Sequence, residues 1–230
     1  MTSSDTALNT MVRALVDQQI AEGRQLGVQV AAYMDGEPIV RVEGGRLGPE
    51  DDRPVQPDTL FSSFSTTKGV AATALHILAD RGLIDYNAPV AQYWPAFAAN
   101  GKELVTVAQA MSHQAGLHAM PSPATVEHLL DWQGGLDWVA NGTPAWEPGT
   151  ATGYHGITYA WVVGGIVQGA TGRHINDVIR EEIAVPLGVG DELFCGIPDG
   201  VEDRLATLQG PTDGATMPVP PDHDLFKAMP

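Results

Sequence analysis

FSSFSTTKGVAATALHILADRG, running from Phe61 to Gly82, decides how the rest of the chain is read. From Val70 the apolar side chains return as Val70, Ala71, Ala74, Leu75 and Leu78, the stripe of a helix lying on a core, and Gly82 ends it. Ser65-Thr66-Thr67-Lys68 stands just ahead of that stripe. Residues three apart on a helix share a face, so the Ser65 hydroxyl and the Lys68 amine can meet. A serine becomes a useful nucleophile when a neighbour takes its proton, and an amine whose surroundings favour its neutral form can do so. The free N–H groups of a helix start disfavour a second positive charge and stabilise an oxyanion. Seven serines and three lysines would yield roughly 0.09 chance matches to S-x-x-K. One match occurs, at a helix start; a helix-capping serine is the plain alternative.

Upstream, Thr6 to Glu22 is predicted to be a helix with Met11, Val12, Leu15, Val16 and either Gln19 or Ile20 facing the core and Gly23 as its stop. Gly27 to Met34 and Pro38 to Val42 flank Asp35-Gly36, the pattern of an antiparallel hairpin with a D-G turn. Residues 43–58, rich in proline and acid, read as a loop. Downstream, prolines break the chain into short helices around 83–97 and 106–111. Residues 158–172 form a longer helix in which Gly164, Gly165 and Gly169 predict close packing, and 175–183 another, ended by Pro186-Leu187-Gly188. From Gly196 the chain reads as a loop-rich tail.

These elements predict an α+β fold with an antiparallel sheet flanked by helices and a helical subdomain. The expected divisions are 1–82 for the N-terminal helix, hairpin and nucleophile helix, 83–190 for the helical part, and 191–230 for the tail. Two strands alone make a marginal sheet, so the sheet is expected to be incomplete in this chain.

At 230 residues there is enough chain to bury a real core. Twelve basic against 28 acidic residues leave a net charge of −16, which repels phosphate backbones and anionic membrane surfaces, so neither nucleic acid nor membrane is an expected partner. The single cysteine, Cys195, forms no internal disulfide and asks for no oxidising compartment. With no basic n-region and apolar h-region at the N-terminus, and no long apolar run, a cytoplasmic location is expected. The seven histidines do not fall at metal-ligand spacing, and no metal or cofactor is implied. No serine lies in G-x-S-x-G and no G-x-G-x-x-G follows a strand, which sets aside the alpha/beta hydrolases and the dinucleotide folds.

Ser65-Thr-Thr-Lys68, Leu83-Ile-Asp-Tyr-Asn-Ala-Pro89, Val105 to Leu117 with its Ser112-His113-Gln-Ala-Gly-Leu117, Pro148-Gly149 leading to Tyr154-His155-Gly156, and Pro186-Leu-Gly188 occur in an order that resembles the serine beta-lactamase superfamily. The branch it is most similar to holds class C beta-lactamases, D-alanyl-D-alanine carboxypeptidases and family VIII carboxylesterases. The resemblance implies a beta-lactamase/transpeptidase-like fold and acyl transfer through an acyl-enzyme on a small ester or amide. Ser65 would attack the carbonyl, Lys68 and Tyr154 would pass the proton to the leaving group, and the Ser65 N–H would give half of an oxyanion hole. The three groups are expected to share a water-poor pocket. His155, next to Tyr154, is the candidate for substrate contact, and His113 is expected to hydrogen-bond backbone in a structural turn.

Two departures stand out. Gly156 occupies the third position of the family's Y-x-N motif and brings no amide, which favours an ester over a lactam. No K-T-G or H-x-G triplet follows it, so the expectation is either one piece of a split, nicked or truncated enzyme, or a second fragment, chain or copy that donates that motif and the remaining strands. A non-catalytic or incomplete module that keeps the scaffold for binding or assembly is the alternative reading.

Overall fold

The computed structural model describes residues 3–120 and 124–210, and the chain within them divides into two compact units. One holds the residues up to 63 together with 197–210; the other holds 64–196. The helix that follows Ser65 thus falls in the second unit, whereas the expected 1–82 division grouped it with the hairpin.

In the first unit, helix α1 (Ser3–Ala21) lies on a three-stranded antiparallel sheet of order β1-β2-β3, with β1 Gly27–Met34, β2 Glu37–Gly48 and β3 Asp51–Pro54. Val30 faces Val42 across the hairpin, and Asp35 and Gly36 both take positive φ, the conformation that a tight D-G turn requires. Val16, Val40 and Val42 are buried, with Val12, Ile20, Val28 and Val30 packed around them. Met11 and Leu15, expected in this core, are exposed: the helix buries only the narrow i, i+4, i+8 line of Val12, Val16 and Ile20.

Residues 43–58, predicted to be loop, instead extend β2 to Gly48 and supply β3. The tail is also more structured than expected. Leu60 and Leu205 form a parallel bridge, with the Leu60 N–H donating to the Arg204 carbonyl at 2.7 Å and the Thr207 N–H to the Leu47 carbonyl at 2.7 Å. The part of the expected 191–230 tail beyond 210 lies outside the described residues.

The second unit is helical. After α2 (Thr67–Asp80) come α3 (Val90–Tyr93), α4 (Val107–Met111), α5 (Val126–Leu130), α6 (Trp132–Asn141), α7 (Tyr159–Thr171) and α8 (Ile175–Ile179). Its core joins Ala74, Leu75 and Leu78 of α2 to Val162, Val163 and Ile166 of α7, all buried. The glycines of α7 pack as their spacing predicts. A β-carbon on Gly164 or Gly165 would come within 2.3 Å of the Trp132 ring or 2.4 Å of the Trp94 ring, and one on Gly169 within 2.3 Å of the Tyr93 carbonyl oxygen.

Candidate active site

The α2 stripe fixes where Ser65 and Lys68 go. Burying Ala71, Ala74, Leu75 and Leu78 turns the opposite edge of the first turn outward, and Ser65 sits in a 3-10 turn, Phe64–Thr66, that runs directly into the helix. Phe64 has φ 47°, a left-handed conformation unusual for a bulky side chain. On this turn Lys68 Nζ lies 3.0 Å from Ser65 Oγ.

Tyr154 arrives from 89 residues away, and its hydroxyl stands 2.6 Å from the same Ser65 Oγ. Lys68 also donates to the Gly156 carbonyl at 2.6 Å, and its ammonium is 4.9 Å from the centre of the Tyr154 ring. The departure at Gly156 thus has a local answer: a main-chain carbonyl, not a side-chain amide, holds the lysine. Tyr159 of α7 is buried, with its ring centre 6.0 Å from Lys68 Nζ.

The electrostatics follow from these contacts. The hydrogen bond to Ser65 holds the Tyr154 phenol below its ordinary range; burial opposes it, and the hydrogen bond and charge of Lys68 add smaller pulls in the same direction as Ser65. Tyr159 moves the other way, since burial disfavours its phenolate. Of these two phenols, the one that touches Ser65 is therefore the more readily ionised.

The site is open. Ser65 is exposed and Tyr154 is 42% exposed, so the water-poor pocket expected from sequence is not what encloses the three groups here. Two sizeable cavities lie elsewhere. One of about 500 Å³ is bounded by Gly116, Leu117 and α6, and one of about 1030 Å³ lies in the first unit beside Leu26 and Phe61; neither is lined by the three groups.

His155 requires a correction. It is fully buried, its Nε2 accepts the Leu117 N–H at 2.9 Å and its Nδ1 lies 2.7 Å from the Gly153 carbonyl, so no ring nitrogen is left for a substrate. Its neighbour Tyr154 is exposed instead. His113 does bond backbone as expected, with Nδ1 accepting the His155 N–H at 3.1 Å. The roles of the Gly156 carbonyl and of Tyr159 were not foreseen; carbonyls carry no sequence signal, and Tyr159 reads as one more apolar position of α7. Among the described residues no group of three His, Cys, Asp or Glu side chains is placed to hold a metal ion, and no helix is long and apolar enough to cross a membrane.

Residues 12–228 match the beta-lactamase family. The chain is 39% identical over 213 residues to the esterase/beta-lactamase LipL of Mycobacterium tuberculosis, covering 92% of this chain and 48% of that protein. Among solved structures, a family VIII carboxylesterase superposes with a TM-score of 0.81 at 39% identity, covering 86% of this chain and 54% of the other. A penicillin-binding protein homologue from Caulobacter crescentus gives a TM-score of 0.81 at 38% identity, over 92% and 55%. The fold is thus beta-lactamase/transpeptidase-like, and the chain spans about half the length of these relatives.

Proposed function

The chain belongs to the beta-lactamase family, whose members are serine hydrolases, and we propose that it carries the nucleophilic half of a carboxylesterase-type site acting through an acyl-enzyme on a small ester. One observation carries this reading: Lys68 Nζ and Tyr154 OH converge on Ser65 Oγ at 3.0 and 2.6 Å. Ser65 Oγ attacks the ester carbonyl and its proton passes to Tyr154, whose phenolate the Lys68 charge favours. The phenol then returns the proton to the departing alkoxide, leaving the acyl group on Ser65. Water, deprotonated by the same pair, releases the acid. The Ser65 N–H at the start of α2 faces developing negative charge on the carbonyl oxygen. Ester over amide is supported by Gly156, which has no side-chain amide to hold an amide substrate. A cytoplasmic setting fits the lone Cys195, which asks for no oxidising environment.

A second reading is favoured by the exposure of Ser65 and Tyr154: a site that a second chain or fragment must cover before it turns over substrate, or that serves binding alone. A fluorophosphonate probe separates these readings. Covalent labelling of the chain, absent in Ser65→Ala, is the expected result. If the wild-type chain stays unlabelled both alone and in whatever assembly native mass measurement finds, the catalytic reading fails and the binding module stands.

A further inference from the structure

Tyr154 meets Ser65 from a loop, and a loop residue keeps a 2.6 Å contact only if its backbone is fixed. Both residues that flank it are tied to His113. The Gly153 N–H donates to the His113 carbonyl at 3.1 Å, and the His155 N–H donates to His113 Nδ1 at 3.1 Å. His155 braces the same loop from below through its contacts to Gly153 and Leu117. A ring nitrogen that accepts an N–H carries no proton of its own, so these contacts require His113 to be bare at Nδ1 and His155 to be bare at Nε2. The His113 backbone is held at φ 63°, and its ring centre lies 5.2 Å from that of Tyr154 and 4.9 Å from that of Tyr159.

Resting on the acyl-enzyme reading above, we propose that His113 is a positioning residue: as a neutral imidazole it clamps the backbone on either side of Tyr154 and sets the phenol on Ser65 Oγ, and protonation at Nδ1 opens the clamp. Protonation would put an N–H against the His155 N–H, turning a hydrogen bond into a repulsion. The groups facing the ring are Lys68 from α2, Tyr159 from α7, and Tyr154 and His155 from the loop it holds. Burial first, and then the Lys68 charge, lower the proton affinity of His113 below the ordinary histidine range. The clamp is therefore closed at neutral pH and opens on acidification.

Asparagine distinguishes positioning from mere packing. It places an oxygen near where Nδ1 stands, tolerates positive φ, and does not titrate. His113→Phe keeps a ring but offers no acceptor. Two readouts are taken on the chain and its variants: the rate of Ser65 modification by a fluorophosphonate from about pH 4.5 to about pH 8, and the titration of the Tyr154 phenol by ultraviolet absorbance, with Tyr154→Phe as the blank. His113→Phe is expected to slow labelling by about tenfold to about a hundredfold, the range for a misplaced catalytic group, and to move the Tyr154 titration up towards its ordinary value. His113→Asn is expected to restore both, and to lose the part of the acid fall-off that the wild type shows below the histidine range. The proposal is overturned if a folded His113→Phe leaves the Tyr154 titration where it was, or if His113→Asn falls with acid as the wild type does. Absence of any labelling in the wild type would instead strike the acyl-enzyme reading, while the phenol titration still decides the clamp.

Discussion

Replacing His155 by glutamine should flatten the acid sensitivity of the chain. Burial takes this imidazole from 6.5 to about 4, against a smaller opposing effect of its hydrogen bond to the Gly153 carbonyl. The folded state thus binds the proton more weakly than the unfolded chain does. The neutral ring contributes its stability in full above pH 6.5 and loses it as the pH falls from there towards 4. The shift corresponds to about 3 kcal/mol in all, of which about 2 kcal/mol is lost between about pH 7.5 and about pH 5. Stopping there keeps carboxylate titration mostly out of the comparison.

Glutamine can still offer an oxygen to the Leu117 N–H but cannot be protonated, so His155→Gln should be somewhat less stable at neutral pH and nearly level below it. Urea unfolding followed by tryptophan fluorescence measures both, with Trp146 as a reporter whose ring centre is 6.4 Å from that of His155. Parallel pH slopes for the wild type and His155→Gln would refute the reasoning. So would a wild type that loses less than about 0.5 kcal/mol over this interval, since the linkage would then be absent.

Two further perturbations follow from local geometry. Gly169→Ala pushes a β-carbon to within 2.3 Å of the Tyr93 backbone oxygen, which cannot rotate away, and is expected to lower stability by about 2 kcal/mol or more in denaturant unfolding. Phe64→Gly acts in the opposite direction: the side chain is 75% exposed and its φ is 47°, so relief of the left-handed conformation should raise stability by about 1 kcal/mol. An unchanged or lowered midpoint for Phe64→Gly would mean that the turn before Ser65 is held by contacts of the phenyl ring.

What the sequence showed of this chain is what local pattern controls. The stripe of α2 and the three-residue step from Ser65 to Lys68 lie within a few turns, and the geometry reproduces them. Asp35-Gly36 fixes the hairpin, and the glycines of α7 announce the rings that lie against them. The strand character of Glu43 to Gly48 was hidden because glycine and arginine carry no β-propensity; it comes from pairing, with Gly27 aligned on Gly45 and Arg46 on Pro54. The bridge between Leu60 and Leu205 spans most of the chain and leaves no periodic trace. Tyr154 could be placed only through the family resemblance. His155 follows Tyr154 in sequence without sharing its setting: its ring is buried and spent on the Leu117 N–H and the Gly153 carbonyl, partners that carry no sequence signal.

The openness of the triad bears on how much chemistry these groups can do as they stand. Lys68 Nζ is 4.9 Å from the Tyr154 ring centre, and at that separation the attraction between an ammonium and a phenolate is roughly 1 kcal/mol in bulk water but about 3 kcal/mol at the lower effective dielectric of a protein surface. The Ser65 hydrogen bond, and less strongly the Lys68 charge, already favour the phenolate, so a stronger attraction to Lys68 makes the phenol a better proton acceptor. On the acyl-enzyme reading proposed above, whatever excludes water from Ser65 and Tyr154, be it the acyl group of a bound ester or a covering polypeptide, strengthens the base and the nucleophile together, and the proposed His113 clamp is what lets a loop residue benefit from that cover.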